Sequence, residues 1–379
     1  MKIAFIGQKG IPTKQGGIEK HVEELAVRLA QAHESVTVYA REHYTGNRHS
    51  EYKNVNLIYC PSINTKNLDA ISHTLFSSLH AIFQNYNVIH YHGVGPALLS
   101  WIPRLLAPKT KVVVTFHCQD KEHQKWGHFA KLMLAMGEWA ACHFPHETIV
   151  ISKGLQKYVK TQFNREATYI PNGVNISPAK NSSHQIAILN KYGLEKQKYF
   201  VLVSRLVQHK GVHTLIDAYQ KIKTDKKLVI VGGGSNTDEY VSYLHRLAVN
   251  NPNIIFTGSQ SGNELNTLFT NAYLFVQPSE AEGLSIALLE AMAYEIPVIV
   301  SDIPENLEAT GDYSLSFKNK SGADLTKQLV LADTDHDLIT DLARKAKIMV
   351  DKDYNWDDIA HKTIIQYQNL IAKKSLKIA

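Results

Sequence analysis

At roughly 150 residues per domain, the 379-residue chain has room for two domains, and a single small module is excluded. Apolar types make up 44% and charged types 20%, which excludes a disordered tail protein and a fibrous repeat. The charge is uneven: residues 1–180 hold 20 Lys+Arg against 12 Asp+Glu, or +8, and the rest holds 21 against 23, or −2, giving the net +6. A basic first half suits an anionic partner, but its lysines are dispersed and lack interleaved aromatics, which argues against nucleic acid. No apolar run approaches the roughly 20 residues of a membrane span. The start, Met1 to Gly7, has the pattern of a buried strand and not of a signal peptide, so a cytoplasmic location is expected. Cys60, Cys118 and Cys142 are too few and too scattered for a disulfide framework or a zinc knuckle, and read as buried thiols.

In chain order, short β-branched runs alternate with amphipathic stretches: Ile3–Ile6, Glu19–Ala32, Val36–Tyr39, Val55–Tyr59, Leu68–Phe83, Val88–Tyr91, Pro96–Leu106, Val112–Phe116, Phe129–Cys142, Thr148–Ile151 and Leu155–Phe163. The alternation predicts parallel strands joined by right-handed crossovers, with helices on both faces. It stops near Asn172, and Ser177–Gln185 reads as a polar linker. A second series follows: Phe200–Ser204, Val212–Ile222, Leu228–Val231, Glu239–Val249, Ile254–Thr257, Glu264–Thr270, Leu274–Gln277, Leu284–Ala293 and Pro297–Ser301. The prediction is an α/β chain of two facing, doubly wound Rossmann-like domains, residues 1–176 and 186–356, with a ligand cleft between them. A last amphipathic helix carries Ile359, Ile364, Ile365, Tyr367, Leu370 and Ile371 on one face, and residues 357–379 are expected to pack back on the first domain.

The strongest local signal is the pair Glu282 and Glu290, eight residues apart around a predicted helix start. The amides of Gly283, Leu284, Ser285 and Ile286 would face outward there, a seat for a diphosphate. Glu282 could then accept from a sugar hydroxyl and Glu290 from a ribose. Spacing alone equally fits a surface glutamate and a capping acid. Arg205, at a strand end, and Lys210, before Gly211, can neutralise a departing diphosphate, or can be solvated surface cations. The loop Gly7–Glu19 joins strand to helix through Gly16 and Gly17; it matches neither a dinucleotide fingerprint nor a P-loop, so a nicotinamide dehydrogenase and a P-loop NTPase both lose support. His90 and His92 flank Tyr91 at one strand end, and His117, followed by Asp120 and His123, ends the next. Such positions suit substrate contact better than a metal for His117, and a buried structural histidine for the others. Ile170-Pro171-Asn172-Gly173-Val174 is a turn in register with these pieces.

Taken in order, Gly16-Gly17 before Glu19, Asn87–Gly93, Thr115-Phe116-His117, Ile170–Val174, Ser204-Arg205-Leu206 with Lys210-Gly211, and Glu282 with Glu290 resemble the retaining nucleotide-sugar glycosyltransferases of family four, with the two-domain GT-B fold. The GQKGIP start and the GGIEKHVEELA that follows are similar to bacterial exopolysaccharide and O-antigen transferases of the mannosyl, galactosyl and rhamnosyl kinds. The resemblance implies a hexosyltransferase acting on a nucleoside-diphosphate sugar and a glycan or lipid-linked acceptor, in surface polysaccharide and lipopolysaccharide synthesis, without a metal or other cofactor. It implies that Arg205 and Lys210 hold the donor diphosphate, that Glu282 contacts the transferred sugar and Glu290 the ribose, and that His117 orients the sugar. Gly16, Gly17, Asn172, Gly283, Leu284 and Ser285 are further donor-binding positions, and His90, His92 and Asp120 acceptor-side ones. A hydrolysing nucleotide-sugar epimerase and a non-catalytic sugar-nucleotide binder share the fold and are the alternatives. One departure concerns Glu295, where the family usually has a helix-ending glycine; this costs about 1 kcal/mol if the position is left-handed. The basic first half further predicts peripheral contact with an anionic membrane through Lys9, Lys14, Lys20, Lys121, Lys125 and Lys131, with Trp126 and Phe129 as anchors.

Overall fold

The β-branched runs form strands and the stretches between them helices in a computed structural model, which describes every residue except Gln15, Asn47, 66–67, 120–127, 176–181, Asn236 and 376–379. The chain divides into two units, Met1–Gly173 with Trp356–Ala379, and Val174–Asn355. The first contains β1 (Lys2–Ile6), α1 (Gly17–Gln31), β2 (Ser35–Arg41), α2 (Glu42–Thr45), β3 (Glu51–Tyr52), β4 (Val55–Cys60), α3 (Asp69–Ala81), β5 (Val88–His92), α4 (Val94–Ala97), α5 (Trp101–Leu106), β6 (Lys111–Phe116), α6 (His128–His143), β7 (Glu147–Val150), α7 (Lys153–Phe163) and β8 (Thr168–Tyr169). The second contains α8 (Ser182–Lys191), β9 (Tyr199–Val203), α9 (Val212–Tyr219), β10 (Lys227–Val231), α10 (Asp238–Ala248), β11 (Ile254–Gly258), α11 (Gly262–Thr270), β12 (Leu274–Gln277), α12 (Ile286–Ala293), β13 (Val298–Ser301), α13 (Pro304–Thr310), β14 (Leu315–Phe317), α14 (Gly322–Thr334) and α15 (His336–Asp353). The final helix α16 (Trp356–Ser375) belongs to the first unit.

Among the described residues the first unit has an eight-stranded sheet in the order β3-β4-β2-β1-β5-β6-β7-β8, parallel except for the short antiparallel β3–β4 pair. Its core joins Ile3, Phe5, Val36 and Val113 of the strands to Val22, Leu25 and Leu29 of α1. Trp356, Ile359, Tyr367 and Leu370 of α16 enter the same core, while Ile365 points outward and leaves the predicted face. The second unit has a six-stranded parallel sheet in the order β11-β10-β9-β12-β13-β14. Each sheet order reverses beside its first strand, β1 against β5 and β9 against β12. In open parallel sheets that switch point, at the carboxyl ends, is where ligands sit.

Several predicted elements differ. The single helix at Pro96–Leu106 is two, α4 and α5, because Pro103 has no N–H for the Leu99 carbonyl and its ring would clash there. Ser182–Gln185, read as linker, are the opening of α8; the rest of that stretch from 177 lies outside the described residues. Residues 302–355, unassigned by periodicity, supply β14 and the helices α13 to α15.

Glu295 lies one residue past the cap of α12 at φ 59°, in the left-handed region. Its amide bonds Met292 O at 2.9 Å and the Ile296 amide bonds Ala291 O at 3.0 Å, the pair of bonds that closes a helix through a left-handed residue. Glycine takes this conformation without the Cβ penalty, so Glu295→Gly is expected to stabilise the protein by about 1 kcal/mol and raise the melting temperature by roughly 2–4 °C. An unchanged or lower melting temperature by calorimetry would show that the glutamate side chain offsets the backbone cost.

Candidate functional site

In the second unit, β9 and β12 deliver two loops to the switch point of the sheet. The chain leaves β9 at Val203 and runs through Ser204 and Arg205, so Arg205 stands two residues beyond the strand and not on its last residue. A short 3-10 turn, Gln208–Lys210, then leads to Gly211, which caps α9 at φ 67°. A Cβ at Gly211 would lie 2.0 Å from the Pro278 carbonyl oxygen, so only glycine lets this loop approach the one after β12. The approach brings Lys210 to Glu282. Lys210 Nζ donates to Glu282 Oε1 at 2.5 Å, and Gln277 Nε2, at the end of β12, donates to the same oxygen at 2.6 Å. Arg205 is partly exposed and its side chain has no ion-pair partner among the described residues.

The helix begins later than predicted. Ser285 is the N-cap of α12, and its Oγ accepts from the Leu288 amide at 3.3 Å. Gly283 and Leu284 therefore lie in the turn before the helix, and both are buried. The first helical amides, those of Ile286 and Ala287, have no intrahelical partner and keep the anion-favouring end of the dipole. Glu282 is outside the helix, so its separation from Glu290 is not the rise of eight helical residues; Glu290 is on α12 and partly exposed. Periodicity gave no signal for Gln277 or for Glu305 in the first turn of α13. Burial pushes the Glu305 carboxyl above its ordinary range, and the nearby charges of Glu282 and Glu308 add to the shift.

In the first unit, α1, β5 and the residue after β6 bring a buried imidazole cluster together at the carboxyl edge. His92, the last residue of β5, places Nδ1 3.3 Å from Nε2 of His117, which follows β6. The His21 ring on α1 meets the His117 ring edge to face at 4.8 Å and the Trp356 ring at 5.4 Å. His21 Nδ1 donates to Asn172 Oδ1 at 2.9 Å, which fixes its neutral tautomer and leaves Nε2 bare. Asn172, predicted as a donor contact, thus holds a histidine that sequence reasoning missed. His21 sits one turn into an amphipathic helix, where its ring reads as one more buried side chain. The bare Nε2 atoms of His21 and His92 are buried without a hydrogen-bond partner.

His90 is different from its neighbours. Its Nδ1 pairs with Tyr367 OH at 2.6 Å and its Nε2 with Thr115 Oγ1 at 2.7 Å, so both ring nitrogens are used inside the protein. It ties α16 to the sheet and drops out of the acceptor-side set. Asp120 and His123 lie outside the described residues, as do Lys121, Lys125 and Trp126. Gly16 caps α1 at φ 107°, and the space beside Gly17 is open, with nothing within 4 Å of where a Cβ would stand.

His21, His92 and His117 each offer a ring nitrogen within 4.8 Å of the other two, the group among the described residues that could hold a metal ion. Among the described residues no carboxylate joins that cluster. Burial is the main cause that lowers the pKa of His21 to about 4 and holds those of His92 and His117 well below the ordinary value, with neighbouring imidazoles adding to the last two. The cluster is built for neutral imidazoles that exchange hydrogen bonds.

Two sheets, each with polar side chains gathered at its switch point, one edge cationic and acidic and the other lined with histidine, define a chain of two doubly wound, Rossmann-like α/β units. Sequence comparison gives the family. Residues 15–178 match the family model "Glycosyltransferase Family 4" and residues 185–349 match "Glycosyl transferases group 1". An "Uncharacterized glycosyltransferase" of Methanocaldococcus jannaschii is 26% identical over 97% of this chain and 98% of its own. The "O-antigen chain mannosyltransferase RfbU" of Salmonella typhimurium is 35% identical over 36% of this chain and 38% of its own. The solved sucrose-phosphate synthase of Thermosynechococcus elongatus shares the fold with a TM-score of 0.83, at 20% identity over 98% of this chain and 99% of that one. The chain belongs to the family four glycosyltransferases of GT-B fold, and it is an enzyme that transfers a glycosyl group.

The histidines set an acid limit on stability. A histidine whose native pKa lies below its unfolded value of about 6.5 stays neutral in the fold while the unfolded chain takes up a proton. Its contribution is complete above pH 6.5 and is lost as the pH falls toward the native pKa, at about 1.4 kcal/mol per pH unit for each such group. His21 and His73, both lowered to about 4, share this window with His90, His92 and His117, which burial also holds well below the ordinary value. The melting temperature is therefore expected to drop steeply between pH 6.5 and 4.5, and less steeply in His21→Gln. A flat melting temperature across that range would contradict the buried neutral state.

Proposed function

We propose that this glycosyltransferase moves a hexose from a nucleoside-diphosphate sugar to a glycan or lipid-linked acceptor in bacterial surface polysaccharide synthesis, with retention of configuration and without a metal. The observation that carries the donor reading is the Lys210–Glu282–Gln277 constellation at the switch point of the second sheet, with Arg205 earlier on the loop that brings Lys210. A departing diphosphate needs positive charge and oriented donors. Arg205 supplies a planar fork, Lys210 a point charge, and the first amides of α12 a dipole end. Glu290 accepts from the ribose and Glu282 from the transferred sugar. The bond from the anomeric carbon to the phosphate oxygen breaks with its electron pair staying on the diphosphate. The acceptor oxygen bonds that carbon on the same face, and its proton passes to a phosphate oxygen. In the first unit the neutral His117 serves as a hydrogen-bonding partner for the sugar.

The acceptor side rests on the +8 of residues 1–180, which favours an anionic, lipid-linked glycan at the inner face of a membrane. Among the described residues no helix is long and apolar enough to cross a membrane, so the contact proposed is peripheral.

Arg205→Ala and Lys210→Ala should each lose roughly 2–4 kcal/mol of transition-state stabilisation, about 30- to 1,000-fold in kcat/KM, with the fold intact by circular dichroism. Near-full turnover of either variant on a confirmed donor would contradict the diphosphate assignment. Transfer should also persist in excess chelator, because cations and amides supply the charge compensation that a metal supplies in other enzymes. Loss restored by Mg²⁺ or Mn²⁺ would overturn this and direct attention to His21, His92 and His117.

A further inference from the structure

Helix α3 is amphipathic in the reverse sense. Ser72, His73, Thr74, Ser77 and Ser78 form its buried face, and Ser78 Oγ meets Tyr91 OH at 2.7 Å. Leu75, Phe76, Leu79 and Phe83, spaced to share one helical face, stand in solvent, Phe83 with 77% of its surface exposed. Small hydroxyl residues let the helix lie close on β1 and β4, and the large apolar side chains are left outside.

The neighbouring helices extend this face. α3 packs on α4 and α5, and α4 on α6. Trp101, Leu105 and Leu106 of α5 are exposed, as are Leu132, Met136 and Trp139 of α6, the last three at i, i+4 and i+7. Between α5 and α6 runs a groove of about 580 Å³ lined by Leu98, Leu99, Trp101, Met136, Trp139 and Phe144. Soluble proteins rarely leave so many large apolar side chains on one contiguous surface without a partner.

The charges choose the partner. No Asp or Glu occurs between Ala70 and Gln119, a stretch that carries Arg104, Lys109 and Lys111. On α6 Lys131 is exposed and Glu138 is fully buried, its Oε2 accepting from Tyr158 OH at 2.9 Å. The only exposed formal charges among the described residues of α5, its following loop and α6 are therefore positive. Apolar and aromatic side chains rimmed by cations match the boundary of an anionic bilayer, where acyl chains take the former and headgroups the latter. The N-terminal lysines fit less well: Lys20 is paired with Glu24 at 2.6 Å, and Glu19 and Glu23 hold the loop amides of Lys9 and Thr13.

We propose that the face formed by α3, α5 and α6 is the surface by which this enzyme docks on an anionic membrane. The inference rests on the peripheral membrane reading above and moves the contact from the N-terminal lysines to this apolar face. The test is sedimentation with vesicles of phosphatidylcholine alone and of phosphatidylcholine with phosphatidylglycerol. The wild-type chain should bind only the second, more weakly as salt rises. The double variant Phe76→Ser, Phe83→Ser should keep the wild-type melting temperature and lose about tenfold or more of that binding. The triple variant Lys9→Ser, Lys14→Ser, Lys20→Ser should keep most of it. Vesicle-bound tryptophan emission of the wild-type chain should shift to the blue, and Trp101→Phe with Trp139→Phe should remove most of that shift, since these two lie on the face and Trp356 is already buried; a shift that survives in that variant would assign it to Trp126 and overturn the surface. Absence of wild-type binding to either vesicle would sink both the membrane reading and this surface. Loss in the lysine variant with retention in the phenylalanine variant would keep the membrane reading and overturn the surface. A self-associated wild type that the phenylalanine variant renders monomeric, with no vesicle binding, would assign the face to a second copy. None of these outcomes depends on the donor chemistry tested above.

Discussion

A parallel sheet covered by helices on both faces has one place where polar chemistry can stand without penalty, its carboxyl edge. Within the strands a polar side chain must find every partner inside the protein or lose the hydrogen bonds that water would have given it. His90 shows the constraint most directly. It sits in the middle of β5, fully buried, and is tolerated because Tyr367 and Thr115 take both of its nitrogens. Tyr367 comes from α16, so satisfying one strand histidine helps fix the last helix of the chain against the first unit. Two residues further along the same strand, His92 reaches the edge and keeps a nitrogen unpartnered.

The two sheets use their edges in opposite ways. In the first, three imidazoles are packed so closely and so deeply that protonating any one would place a charge in a dry site beside the others, which is why their pKa values fall. Such groups discriminate by hydrogen bonding, the interaction that a sugar hydroxyl offers. In the second, Lys210 and Glu282 form an ion pair, and the dominant quantity is charge. The proposed diphosphate presents the complementary need. The division of labour between neutral and ionic recognition thus follows from which residue types each sheet edge was given.

How much of this was legible in the sequence depended on the physics behind each feature. Strand and helix alternation is readable because period two and period 3.6 are imposed by burial, and Lys210 and Glu282, charged types in the loops after two strands, are the pair that the structure brings together. His21 was not legible, because one histidine on an amphipathic helix looks the same whether it packs in a core or orients toward a site. Gln277 was missed because an amide at a strand end has no spacing signature. The start of α12 was misplaced by two residues, since Gly283 and Leu284 fit a helix first turn until Ser285 is seen to cap it. Helix α3 is the most instructive case. Its periodicity was read correctly over Leu68–Phe83, but periodicity reports that two faces differ and not which of them is buried; small hydroxyl residues against the sheet reversed the usual assignment.

The ion pair of Lys210 and Glu282 also constrains what Glu282 can do. Its Oε1 accepts from both Lys210 and Gln277, which leaves Oε2 as the oxygen available to a ligand. A nucleophile must approach the anomeric carbon with an unencumbered lone pair and then carry the sugar as an ester, whereas a carboxylate pinned by two donors at one oxygen is suited to accept a hydroxyl hydrogen bond at the other. Glu305, lifted by burial and by the charge of Glu282, is a second acid within electrostatic reach of that carboxylate. Lys210 has two tasks that cannot be separated by position: it balances the Glu282 carboxylate, and it supplies the positive charge toward which the proposed leaving group departs. A lysine, with three donors on one compact ammonium, can meet both at once.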